Sequence, residues 1–196
     1  MRRMLLALAI TVASSAAAHA QGITLGEPAY GGTGCPQGTA TAVLNADATT
    51  LTIFYDAYQA EAGGPTGRTF DRKSCNLAIP LNVPSGFSVS VLAIDYRGFN
   101  GLPVGAGSVF RVEYFFAGGR GPVFNRTFTG PQSQDFFINN TLVATALVWS
   151  ACGQDVILRT NSSIRVTTSA NRQAVATVDT EDITAALVYR LQWRRC

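Results

Sequence analysis

Asp95, Tyr96 and Arg97 set an acid, a phenol and a guanidinium side by side, with Gly98 after them. In extended chain Asp95 and Arg97 share a face and Tyr96 takes the other. Two uses suit such a trio. Asp95 and Arg97 can make a charge-assisted pair, the commoner outcome for neighbours of this kind. The three can instead receive a sugar, with Tyr96 as a stacking platform and the charged groups bonding hydroxyls. They are the candidate binding residues. Asp56, Glu61, Asp71, Glu113 and Asp135 are scattered carboxylates, and glycoside hydrolysis needs two of them at a set separation across a cleft. Sequence spacing does not supply that separation, and 12 acidic residues are unremarkable in a chain of 196.

The residues that are missing say more. The one histidine is His19, inside a stretch that reads as a removable leader. Without imidazole there is no Ser-His-Asp or Cys-His nucleophile and no zinc or copper site built on histidine. Lys73 is the one lysine, so Schiff-base chemistry would rest on a single position. The net charge is +3, of which Arg2 and Arg3 supply two, and no basic stripe marks a nucleic-acid partner. The run Asp179-Thr180-Glu181-Asp182 offers oxygen ligands but lacks the spacing of a calcium loop. A solvated turn suits it better. No catalytic residue, metal ligand or cofactor is assigned.

Residues 1–20 have the three parts of a secretory signal: Arg2 and Arg3, an apolar stretch from Met4 to Ala13, and Ala18-His19-Ala20 as the small-x-small cleavage pattern. The expected mature domain is 21–196, a single unit with no linker or composition shift, exported to the periplasm or the medium. No later stretch is apolar enough to span a bilayer as a helix.

An oxidising destination makes the four cysteines, Cys35, Cys75, Cys152 and Cys196, a disulfide framework with three possible pairings. Leu147-Val148-Trp149-Ser150-Ala151-Cys152 and Leu191-Gln192-Trp193-Arg194-Arg195-Cys196 both read L-x-W-x-x-C. Two strand ends of matching shape suit one clip, which favours Cys152–Cys196 and leaves Cys35 for Cys75. A four-thiolate zinc site is the lesser reading, since no CxxC is present.

The elements that must position these residues are strands. Phe110, Val112, Tyr114 and Phe116 alternate with Arg111 and Glu113. Ile183 to Trp193 alternates likewise, and shorter runs recur at Leu51-Ile53-Tyr55, Phe87-Val89-Val91 and Ile164-Val166. Turn clusters separate them, among them Asn45-Ala46-Asp47, Gly63-Gly64-Pro65-Thr66-Gly67 and Pro84-Ser85-Gly86. No helical stripe lasts three turns. About ten short strands at this spacing predict an all-β, antiparallel, jelly-roll-like sandwich. The paired aromatics Phe115-Phe116 and Phe136-Phe137 put one ring on each face, and Tyr30 to Gly38, YGGTGCPQG, reads as a tight turn beside a disulfide, not a phosphate loop. N-x-S/T sequons stand at Asn125, Asn139 and Asn161.

Together with DYRG at Asp95 to Gly98, TFTGP at Thr127 to Pro131, LVWSACG at Leu147 to Gly153 and LQWRRC at the end, YGGTGCPQG resembles the secreted bacterial and fungal family catalogued as domain of unknown function 4360. The resemblance runs from about Gly26 to Cys196 and implies an exported, disulfide-linked β domain, with no activity to carry over. The function expected is therefore a non-catalytic binding or surface-interaction module, with an extracellular glycan as the partner its aromatics suit. A carboxylate-dependent polysaccharide hydrolase and a structural envelope or matrix protein are the alternatives.

Overall fold

The structure is a computed structural model that describes residues 22–141, 147–178 and 187–196. The expected leader and the acidic run 179–182 lie outside the described residues, as do the first four positions of the run predicted from Ile183. Thirteen strands are described: β1 (Thr24–Leu25), β2 (Ala29–Gly31), β3 (Ala40–Leu44), β4 (Thr50–Tyr55), β5 (Gln59–Ala62), β6 (Phe70–Asn82), β7 (Phe87–Leu102), β8 (Gly107–Phe116), β9 (Val123–Thr129), β10 (Gln132–Thr141), β11 (Val156–Thr167), β12 (Ala174–Val178) and β13 (Leu187–Arg195). They form two antiparallel sheets. The first runs β1-β6-β11-β8-β9 with β2 also on β6, and the second runs β3-β4-β13-β7-β12-β5 with β10 also on β7.

The predicted sandwich is present, with longer strands than the short apolar runs suggested. β7 spans 16 residues because it serves as a spine: β10 pairs along one side, while β13 and β12 share the other. The sheets meet through alternate side chains. Tyr96 of β7 lies 5.1 Å from Phe110 of β8 and stacks at 5.2 Å on Phe124 of β9. The Tyr189 hydroxyl of β13 shares a 2.6 Å hydrogen bond with Thr160 of β11, and Tyr58 meets Ser162 at 3.0 Å. Burial of these apolar faces is the main favourable term, about 25 cal/mol per Å² of apolar surface.

One irregularity decides which side chains reach the surface. Arg190 faces Ala93 and Leu191 faces Val91, so Leu92 is an extra residue without a partner on β13. Such a bulge reverses the phase of alternation. Val89 and Val91 point into the core before it, and Ile94 and Tyr96 do so after it.

Cys35 is bonded to Cys75 across a Cα separation of 5.3 Å, and Cys152 to Cys196 across 5.9 Å. The glycine-rich segment beside the first bridge is a tight turn: a Cβ on Gly32, whose φ is +146°, would strike the Ser74 carbonyl. The Leu147 to Cys152 stretch departs from expectation. It is not a strand end but an irregular segment joined to β7 by one bridge, Trp149 to Ser90.

Candidate functional site

The bulge at Leu92 places Asp95, Arg97 and Phe99 on the outward face of the second sheet and Tyr96 inside. Tyr96 is fully buried, so stacking on a ligand is not open to it. Asp95 and Arg97 share a face as read, but they do not pair with each other. Asp95 is 4% exposed and is bound by Arg190, whose Nη2 donates at 2.8 Å, and by the amide of Asn139 across the β7–β10 pair. Arg97 faces Phe137 across the same pair and lies 5.0 Å above its ring. Its Nε–H has no acceptor among the described residues, so stacking holds the guanidinium in place. Gly98 has a steric reason. A Cβ there would run into the Thr177 carbonyl and the ring of Phe136, which is buried opposite it.

Around this motif the outward face forms a platform. Phe137 is 58% exposed, the apolar residue of its pair that faces solvent, while Phe136 packs inward on Phe128 at 4.8 Å. Next along β7, Phe99 leans across Gly101, its Cε1 lying 3.2 Å from where a Cβ on Gly101 would sit. The absent side chain leaves a shallow groove of about 650 Å³ floored by Phe99 and Gly101 and flanked by Gln132, Ser133, Gln173 and Val175. That volume is in the range of small-molecule sites. Gln173 is held by a 2.7 Å bond to Glu61, and Gln132 by one of 2.9 Å to the Thr129 carbonyl. Each amide keeps further donor and acceptor capacity toward the groove. An aromatic floor with amides at its sides suits a ligand that has both an apolar face and hydroxyls.

The carboxylates are mostly committed elsewhere. Asp71 lies near Arg68 and Lys73 and accepts from the Glu61 backbone at 3.0 Å. Asp155 accepts from the Val83 backbone at 3.0 Å. On the platform, Asp135 faces Phe99 and Glu61 faces Val175. Strand geometry separates Asp135 from Asp95 by four residues, about 13 Å along β7, and from Glu61 by three strand spacings, about 14 Å. Glycosidase pairs stand about 5–9.5 Å apart. Among the described residues no group of three or more His, Cys, Asp or Glu is placed to hold a metal ion.

A second concave feature, of about 170 Å³, lies at the end of the sandwich among Ile23, Asp47, Pro84, Phe87 and Trp193. Trp193 meets Phe87 edge-on at 5.3 Å, and Arg194 lies 4.0 Å over Trp149. Both tryptophans of the repeated motif thus stand at one end, beside the bridge that joins their cysteines. Hydrogen bonds from the side chain and backbone of Thr49 hold the Asp47 carboxyl below its usual pKa. Alternation set one ring of Phe136-Phe137 outward, whereas Trp193 shares the phase of Leu187, Tyr189 and Leu191 and is exposed at the end of β13. Nothing local signalled the groove, which needs β7, β10 and β12 together.

Among known proteins, a solved structure of TmCBM61 in complex with beta-1,4-galactotriose covers 86% of this chain and 88% of its own, at 11% identity and a TM-score of 0.30. That likeness is too slight to transfer a residue or a ligand. An uncharacterized secreted protein of Arthroderma benhamiae is 34% identical over 180 residues, 91% of this chain and 71% of the relative. The family model for domain of unknown function (DUF4360) matches residues 21–196. The motifs and the match agree, and the chain belongs to the DUF4360 family.

Proposed function

We propose that this protein is a secreted, non-catalytic module that binds an extracellular glycan on the outward face of its second sheet. The observation that carries the reading is Phe137, 58% exposed beneath Arg97 and set beside the Phe99–Gly101 groove. A pyranose ring offers an apolar C–H face to an aromatic and hydroxyls to amides, and this surface supplies both. The secreted relative supports an extracellular setting. Asp135 stands more than about 10 Å from Asp95 and from Glu61 by strand geometry, which favours binding over hydrolysis on this face. In this reading the part first assigned to Tyr96 falls to Phe137 and Phe99, while Asp95 holds Arg190 and Arg97 shapes the platform.

The test is titration calorimetry with soluble β-linked glucan, galactan, mannan and xylan oligosaccharides. At least one should bind without release of reducing ends, and Phe137→Ala and Phe99→Ala should each weaken it about tenfold, the value of one lost aromatic contact. If no oligosaccharide bound, or if turnover appeared and vanished in Asp135→Asn, the proposal would fail.

A further inference from the structure

The outward face of the first sheet carries a charge arrangement that folding does not explain. Arg72 of β6 and Arg165 of β11 stand directly opposite each other in register. Arg111 of β8 lies on the next row, opposite Ser163. Arg159 adds a fourth cation farther along β11, and Glu113 is the one acid on the strands of this face. All four arginines are exposed. The ion pairs among the described residues use Arg68, Lys73 and Arg190 and none of these four. Like charges opposite each other destabilise a sheet, and the three arginines set in register around Ser163 and Ser74 have no ion-pair partner among the described residues to offset the cost. Phe70, 47% exposed, shares the face two residues from Arg72. The surface therefore joins an exposed aromatic ring to neighbouring cations, with small hydroxyl residues on the rows between them.

We infer that this face is a second binding site, distinct from the glycan platform, for an acidic polysaccharide bearing carboxylate or sulfate groups. Arginine matches both anions through two parallel N–H donors, and Phe70 offers a stacking surface to the sugar ring between charges. A polymer fits better than a lone anion because the cations extend over three strands, from β6 to β8, and all of them are exposed.

Affinity electrophoresis tests this with polygalacturonate and dextran sulfate in the gel and neutral dextran as the blank. The protein should be retarded by at least one acidic polymer and not by dextran, and salt should weaken the effect because exposed charges are screened. Arg72→Gln with Arg165→Gln, and separately Phe70→Ala, should reduce retardation about tenfold. The double variant should keep or raise its thermal midpoint, because a repulsion has been removed. Phe137→Ala should leave retardation unchanged, which separates this site from the platform. The inference is overturned by absence of retardation, by a lowered midpoint in the double variant, or by stronger binding to phosphatidylglycerol vesicles than to either polymer.

Discussion

Asp95 has exchanged water for two side chains, Arg190 on β13 and Asn139 on β10, so one carboxylate ties three strands together. Its side chain is 5% exposed and that of Arg190 56%, so the pair is wet on one side only. Arg190→Leu strips the carboxylate of its charged partner and should cost about 1–3 kcal/mol in urea unfolding. Adding Asp95→Asn should restore part of that loss, since a neutral amide is cheaper to bury than an unpaired charge. Additive losses in the double variant would show that the two residues act separately. The motif was legible as chemistry but not as geometry. Arg190 lies 95 residues from Asp95, and no local spacing points to it. Carrying the phase of Phe87-Val89-Val91 forward would set Tyr96 outward, as a platform. The extra residue Leu92 turns it inward, and a bulge leaves no mark in a pattern read two residues at a time.

At the level of elements, the two L-x-W-x-x-C motifs were the most informative feature of the sequence, although only one of them ends a strand. The segment from Trp149 to Gly153 is fixed to β7 from outside regular structure. The Ser150 backbone donates to Val89 at 2.9 Å and that of Gly153 to Phe87 at 2.8 Å, and the Cys196 backbone donates to Gly86 at 2.9 Å. The bridge thus fastens an irregular segment and the end of β13 to the same turn, Pro84 to Gly86. Its loop of 44 residues gives a crosslink worth roughly 2–5 kcal/mol. Cys196→Ser should lower the thermal midpoint by several degrees and leave Cys152 reactive to thiol reagents. Peptide mapping without reductant should recover Cys35 joined only to Cys75. Strand positions and pairing of cysteines were thus within reach of periodicity and motif. Which strands become neighbours was not, because β7 contacts β10, β12 and β13 across long separations.

Across the whole molecule, the core is wetter in chemistry than its apolar alternation suggests. Five of the six tyrosines, at 55, 58, 96, 114 and 189, are buried between the sheets. Burial pushes all five above the ordinary tyrosine pKa of 10.0, Tyr114 to about 12, Tyr58, Tyr96 and Tyr189 higher than that, and Tyr55 well above the ordinary value. Each is a neutral acid that the folded state protects from ionising. Below pH 10 folded and unfolded chains hold these protons alike, and the groups add full stability. Above it the unfolded chain releases protons that the native core keeps, so it binds fewer and unfolding gains. Each phenol then removes about 1 kcal/mol per pH unit until its folded pKa is reached. Five acting together can exhaust the 5–15 kcal/mol of a typical domain within about two units. The expected outcome is flat stability through neutral pH and then one steep alkaline transition, in which phenolate absorbance and loss of β-sheet circular dichroism rise together. Replacing Tyr189 by Phe removes one such proton, at the cost of the Thr160 hydrogen bond, and should shift that transition upward. Phenolate absorbance well before any loss of sheet signal would show that alkali reaches the phenols without separating the sheets.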